Sequence, residues 1–103
     1  MIDEPARRQS PGYELFASRG KLTIVAHLLG AENMRLSELE RAILSMPQRR
    51  LVRNLRELEN DGVVMRAVVS ATPPRVEYSL TDWGRAVAPV LETLREWFDA
   101  RPR

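Results

Sequence analysis

The side chains best suited to chemistry in this sequence are gathered in one short stretch, residues 48–56. They comprise four arginines and two carboxamides: Gln48, Arg49, Arg50, Arg53, Asn54 and Arg56. A guanidinium group donates two parallel hydrogen bonds to a phosphate or to a guanine edge, and a carboxamide donates one hydrogen bond to an adenine edge and accepts another from it. This combination indicates binding to a nucleic acid rather than catalysis of a reaction.

The rest of the sequence offers little for catalysis, metal binding or redox chemistry. It contains no cysteine and a single histidine, His27, which excludes disulfides, cysteine nucleophiles, thiol sensing and the common zinc sites. The acidic residues fall on predicted exposed helix faces, without a histidine or cysteine partner or a glycine-rich phosphate loop. We therefore predict a protein that is not an enzyme and carries no metal or cofactor, and we interpret His27 as structural.

Length and composition are those of one globular domain, with 103 residues, 44% of them hydrophobic and 29% charged. No run approaches the roughly 18 apolar residues of a membrane helix, and the polar N-terminus does not resemble a signal peptide. We therefore expect a cytoplasmic protein that does not contact membranes. Lys21 is the only lysine among 16 lysines and arginines. A GC-rich genome would also enrich arginine, so the positions of the arginines must decide what they do.

Three helices are predicted from apolar spacing and capping signals. The first, residues 21–29, carries an apolar stripe and ends at a glycine. The second, residues 37–44, begins with a capping box formed by Ser37 and Glu40. The third, Gln48–Asn60, follows a turn at residues 45–47. The stripe of the first helix consists of Leu22, Val25, Ala26 and Leu29.

The third helix has two faces and two ends of different character. Leu51, Leu55 and Leu58 recur at i, i+4 and i+7, which predicts a buried stripe. The arginines crowd its first two-thirds, whereas acidic residues collect at its end, the reverse of the order that the helix dipole favours. Because this order lowers the intrinsic stability of the helix, it favours a functional role for the arginines over a merely solvated face.

Two strands are predicted after this helix, at residues 63–69 and 76–80. The segment between them, residues 70–75, is too rich in proline for a two-residue turn. We expect it to project as a loop that carries Arg75 at its tip.

A long helix, residues 82–99, is predicted next, with Thr81 as its N-cap and a bend at Pro89. Its apolar seam is wider than one small core needs, so we predict that it joins two copies of the chain; the alternative is that it covers its own core. The predicted dimer interface consists of Tyr13, Phe16, Val87, Val90, Leu91, Leu94, Trp97 and Phe98.

This order of elements is typical of a winged helix-turn-helix. We predict an α+β fold, mainly helical with a small β-hairpin, in which residues 1–12 form a flexible tail and residues 13–103 one domain with N- and C-terminal dimerisation helices. The third helix would enter a major groove, and the wing, residues 70–75, would reach the flanking minor groove or backbone. The predicted DNA contacts are the six residues of the 48–56 stretch together with Lys21 and Arg75. Lys21 and Arg56 are assigned to phosphates.

Four segments resemble the HxlR-type regulators, a branch near the MarR-like winged helix proteins: GKLT at 20–23, RLSEL at 35–39, LVRNLRELENDG at 51–62, and PRVEYSLT at 74–81 followed by Gly84. The resemblance extends over about residues 18–98, and its last segment is the most specific. It implies a bacterial-type homodimer, built from N-terminal residues and the last helix, on a pseudo-palindromic operator. Two positions depart from the family: Ser10-Pro11 replaces a Cys-Pro pair, which excludes thiol sensing, and Leu22 replaces a tryptophan.

We therefore predict a sequence-specific, DNA-binding transcriptional regulator that acts as a homodimer. The alternative is a winged-helix protein–protein interaction module that does not bind DNA, which the modest net charge of +2 keeps open. The sequence identifies neither the operator nor the direction of regulation. A cavity near the dimer helices would suit a small apolar effector, but no polar group of residues marks one.

Overall fold

The computed structural model describes Leu15 and residues 18–102. In chain order the elements are α1 (Arg19–Leu29), β1 (Met34–Arg35), α2 (Leu36–Ala42), α3 (Gln48–Asn60), β2 (Val64–Ala71), β3 (Pro74–Leu80), α4 (Asp82–Arg85) and α5 (Ala88–Asp99). The fold is α+β and mainly helical, as predicted. The predicted tail, residues 1–12, and the predicted interface residues Tyr13 and Phe16 lie outside the described residues. Within the described part of the chain, no helix combines the length and hydropathy of a membrane span.

The core-facing side of α1 differs from the prediction by about one residue position. Ile24, Val25 and Leu28 are fully buried, whereas Ala26 of the predicted stripe is exposed. Large aliphatic side chains remove more apolar area from water than alanine does. The helix is therefore rotated about its axis so that isoleucine and leucine, rather than alanine, face the core.

α2 begins one residue earlier than predicted and uses a different cap. Its N-cap is Arg35, whose backbone N–H donates to the Glu38 carboxylate at 2.8 Å; Ser37, the predicted cap, lies inside the first turn. The cause is β1, which pairs antiparallel with β3 and keeps Arg35 extended up to the start of the helix. A two-residue strand has no alternation that a sequence can reveal, so β1 was not predicted.

The hydrophobic core lies between the first three helices and the base of the hairpin. Leu51, Leu55 and Leu58 confirm the predicted stripe of α3, since each is at most 1% exposed. They pack in one cluster with residues of the other elements, namely Ile24, Val25, Leu28, Leu39, Ile43, Met46, Val63, Val64 and Leu80. Each buried leucine contributes about 1.5–3 kcal/mol. This face therefore anchors α3 and leaves the opposite face of the helix available to a partner.

The hairpin is longer, and its loop shorter, than predicted. β2 and β3 pair as far as Ala71 opposite Pro74, so only Thr72 and Pro73 connect them. The predicted projecting loop of residues 70–75 is therefore corrected to a two-residue connection. Pro74 can begin β3 because a missing N–H is tolerated at the first position of a strand. β3 is the central strand of the order β1-β3-β2, which leaves β2 at an edge.

The single helix predicted at residues 82–99 is two helices. The α-helical hydrogen-bond ladder is interrupted at residues 86–87, between α4 and α5, although both residues keep right-handed helical backbone angles. Pro89 accounts for the break, because it has no N–H to donate and its ring clashes with the carbonyl group four residues earlier. With the helix divided here, Pro89 lies in the first turn of α5, where a proline is tolerated because the first N–H groups of a helix have no partner within it. Thr81 caps α4 as predicted: its Oγ1 accepts a hydrogen bond from the Gly84 N–H at 2.9 Å.

Candidate nucleic-acid interface

One face of α3 is formed by arginines and lies opposite the buried leucines. We call three of these residues the arginine stripe: Arg49, Arg53 and Arg56. They have the same i, i+4, i+7 spacing as the buried leucines, and each lies two positions before one of them. Two residues correspond to a rotation of about 200° around an α-helix, so the stripe faces away from the core. Its three residues are exposed, and with Gln48 and Val52 they line a shallow groove along the outside of the helix.

The arginine stripe has no acidic partner among the described residues. No carboxylate in that part of the chain lies within 4.0 Å of the stripe or of the neighbouring exposed Arg50. The first turn of α3 contains no acidic residue, and the N-terminal end of a helix adds partial positive charge. The first half of α3 therefore concentrates positive potential and hydrogen-bond donors on its outer face.

Lys21 is placed differently from the prediction. Its Nζ lies 2.9 Å from Oε1 of Glu57, and its side chain is only 16% exposed. This ion pair joins α1 to the C-terminal half of α3, so the ammonium group of Lys21 is already paired within the chain; its contact with a phosphate stays a prediction. The hydrogen bond from Lys21, and then its positive charge, lower the pKa of the Glu57 carboxyl below its ordinary value of 4.5.

Replacing Lys21 with methionine is expected to raise the pKa of Glu57 towards 4.5, because methionine keeps an unbranched stem but removes the hydrogen bond and the charge. NMR titration of the carboxyl carbon measures this shift. In the unmodified protein the lowered pKa contributes stability that is present above the ordinary value and is lost as the pH falls through the folded-state value. Arg53→Met is the control and should shift the pKa less, since Arg53 is the weaker influence. An unchanged titration in Lys21→Met would mean that the ion pair does not form in solution.

Asn54 is also placed differently from the prediction. Its side chain is 8% exposed, and its Nδ2 donates to the sulfur of Met46 at 3.7 Å. The same carboxamide packs against Gly20, where an added Cβ would lie 2.6 Å from Nδ2. The prediction that Asn54 reads a base is therefore corrected: the residue lies on the leucine face of α3 and connects α1, the turn and α3.

Arg75 lies at the end of the hairpin and is exposed, as predicted. Its Nε lies 3.7 Å from Oε2 of Glu77, two residues along the same face of β3. An exposed pair at this distance is weak, so the guanidinium group keeps donors for another partner. Arg35 was not singled out from the sequence, yet the register of β1 and β3 places it opposite Glu77. Only that pairing could have identified it, because the two strands are far apart in the sequence.

α5 carries an apolar face that its own domain covers only in part. Six large apolar side chains within residues 87–98 occupy about 120° of the helix circumference. We call them the α5 face: Val87, Val90, Leu91, Leu94, Trp97 and Phe98. Val87 and Leu91 pack against the core, whereas the other four are 44% to 70% exposed. Every predicted interface residue among those described therefore lies on one surface.

This arrangement of helices, turn and wing corresponds to one family over nearly all of the described residues. Residues 15–102 match the model of the HxlR-like helix-turn-helix family. The chain belongs to this family. Membership confirms the resemblance noted in the sequence and places the HxlR-like chain among transcriptional regulators of the helix-turn-helix type rather than among enzymes.

Individual relatives agree with this assignment. The HxlR-like chain is 40% identical over 94 residues to the uncharacterized HTH-type transcriptional regulator YvaP of Bacillus subtilis, covering 91% of this chain and 86% of YvaP. It is 50% identical over 64 residues to an uncharacterized HTH-type transcriptional regulator of Methanothermobacter thermautotrophicus, covering 62% of this chain but only 49% of that protein. Among solved structures, the reduced form of the regulator YodB from B. subtilis superimposes with a TM-score of 0.82 at 28% identity, covering 96% of this chain and 93% of YodB.

Proposed function

We propose that this chain is a sequence-specific DNA-binding regulator that acts as a homodimer on a pseudo-palindromic operator. The observation that carries the proposal is the arginine stripe, which is exposed on the outer face of a helix whose inner face is anchored by leucines. The major groove of B-DNA admits one α-helix, and arginine pairs bidentately with guanine there. These two properties support sequence-specific DNA binding.

In this proposal the first turns of α3 enter the major groove. Gln48, Arg49, Arg50 and Arg53 face the base edges, which are read by side chains near the start of such a helix. Arg56, one turn further along, contacts a phosphate and fixes the register of the helix without reading sequence. Arg75 of the wing reaches the flanking minor groove or backbone.

A second copy of the chain is the proposed cover for the α5 face. Trp97 is 70% exposed and Phe98 53% exposed, and large aromatic side chains dominate the energetics of interfaces. A two-fold axis brings the same surface of both copies together, and in dimers of helix-turn-helix proteins the recognition helices enter successive major grooves about 34 Å apart. The two-fold symmetry of the proposed dimer is the reason for proposing a pseudo-palindromic operator. The proposed site of action is the cytoplasm, and none of the residues that the structure describes identifies an effector.

Replacing Arg53 with alanine is expected to cost about 1–3 kcal/mol of discrimination between the operator and a duplex with one changed guanine, because a bidentate contact is lost. Replacing Arg75 with alanine should weaken binding to all duplexes almost equally, because the wing contacts the backbone. Fluorescence anisotropy at several salt concentrations measures both effects, on a duplex selected from a random pool. The matched control is Arg66→Ala, which removes an exposed arginine of β2 outside the proposed interface.

Two outcomes would contradict the proposal. If Arg53→Ala and Arg75→Ala both bind like the unmodified protein, α3 and the wing do not contact DNA as described. If the unmodified protein binds DNA only weakly and without regard to sequence, while it retains a stable protein partner, the chain is instead an interaction module.

A further inference from the structure

A cleft lies between the tip of the wing and the start of α2. Its wall on one side is formed by Arg35 and Ser37, and on the other side by Ser70, Arg75 and the two prolines of the wing. The cleft is open to solvent and has a volume of about 530 Å³. Such a shape accommodates a length of polymer backbone rather than one enclosed ion.

The polar side chains in this cleft are suited to an anion. Arg35 and Arg75 supply two guanidinium groups, and Ser37 and Ser70 supply two hydroxyl groups, all of which can donate hydrogen bonds. Arg75 lies two residues before Glu77 on β3, and Arg35 lies opposite Glu77, so the two arginines are diagonal neighbours whose positions are roughly 7–8 Å apart, with their Cβ atoms somewhat closer. Two long side chains at this separation can reach the same phosphate group.

The acidic residues next to the cleft do not cancel its charge. Glu38 accepts the backbone N–H of Arg35 at 2.8 Å, so this carboxylate is engaged at the start of α2. Glu77 lies 3.7 Å from Arg75, and it forms no ion pair with Arg35 within 4.0 Å. Among the described residues, Arg35 therefore has no acidic side-chain partner.

We propose that this cleft binds one phosphate of the DNA backbone in each half-site, held between Arg35 of the helix-turn-helix and Arg75 of the wing. The inference rests on the proposed DNA binding and adds Arg35 and Ser37 to its contacts. It assigns them to positioning rather than to sequence recognition, because the cleft lies beside the wing and not on the outer face of α3. We call Arg35 and Arg75 the phosphate clamp. The negative charge of Glu77, which lies between them, lowers the affinity of the clamp for a phosphate.

Arg35→Gln tests the proposal in the full chain on the selected operator. The variant dimer loses one phosphate contact in each half-site. The slope of log affinity against log salt concentration should therefore become less negative by about 1.8. The preference among duplex sequences should stay unchanged. Ethylation interference, which identifies phosphates needed for binding, should lose one position in each half-site. Glu77→Gln should bind the same operator several-fold more tightly and keep the steep salt dependence. Arg66→Gln is the control and should match the unmodified protein in both measurements.

The fold should survive the Arg35→Gln change, because the bond that starts α2 uses the backbone N–H of Arg35; circular dichroism checks this point. If Arg35→Gln binds the operator with the original salt dependence and interference pattern, the clamp is refuted and the proposed function stands. If this variant changes base preference instead, Arg35 reads sequence and the clamp is also refuted. If the unmodified chain binds no DNA, both proposals are wrong.

Discussion

Replacing Gly84 with alanine is expected to lower the free energy of unfolding by about 3 kcal/mol, the upper end of the usual cost of overpacking. A Cβ at position 84 would lie 2.2 Å from the carbonyl oxygen of Val63 and 3.1 Å from its carbonyl carbon. Both atoms belong to the backbone and cannot rotate away. The same carbonyl oxygen accepts the Thr81 N–H at 3.0 Å, so moving it would also disturb the connection between β3 and α4.

Gly30→Ala is the matched control for this prediction. A Cβ at Gly30 would meet only the His27 carbonyl oxygen at an ordinary 3.6 Å, and the φ of −85° suits alanine. This substitution should leave stability unchanged or raise it by about 0.4–1 kcal/mol, because alanine reduces the freedom of the unfolded chain. Urea unfolding at one protein concentration compares the three proteins. Equal midpoints for both variants would show that α4 does not approach Val63 this closely.

Replacing Leu94 with glutamate is expected to convert the proposed dimer into a monomer and to weaken operator binding at least about 100-fold, or about 2.8 kcal/mol. Leu94 is 44% exposed at the centre of the α5 face. A carboxylate buried there without a partner costs several kcal/mol, and each copy would contribute one. Binding of the operator then loses the benefit of two linked half-sites.

Sedimentation and light scattering measure the oligomeric state of the Leu94→Glu variant, and anisotropy measures its affinity for the operator. Glu96→Lys is the control: it reverses a charge on the opposite side of the same helix and should leave both properties unchanged. A Leu94→Glu variant that remains dimeric would show that another surface joins the two copies.

The two faces of α3 could be predicted from the sequence because both patterns belong to one continuous helix. The leucines and the arginines each repeat at helical spacing, and the structure confirms that the leucines are buried. The cap at Thr81 was predictable for the same reason, since the residues that form it are three positions apart. Local periodicity and local hydrogen bonding are visible in a sequence without knowledge of the fold.

The environments of Lys21 and Asn54 could not be predicted, because they depend on segments that meet only in the folded chain. Lys21 finds Glu57 because α1 packs across α3. Asn54 has the chemistry of a base-reading residue, yet the approach of Gly20 and Met46 encloses it. β1 was missed because two residues acquire strand geometry only by pairing with β3. Pro89 gave a local signal from which a bend was predicted, but its missing N–H and its ring interrupt the helix instead.

The break at residues 86–87 separates the part of the molecule proposed to read DNA from the part proposed to hold its partner. The Val87 N–H returns to the Gly84 carbonyl oxygen at 3.2 Å, and the Leu91 N–H begins a new ladder at Val87. In a single rigid helix, each inserted residue would rotate the α5 face by about 100° relative to α3. The orientation of the partner would then change together with the spacing. Because the ladder is interrupted here, we expect a change of a few residues at this joint to alter the distance between the two half-sites of the proposed dimer, while the bases that α3 contacts stay the same.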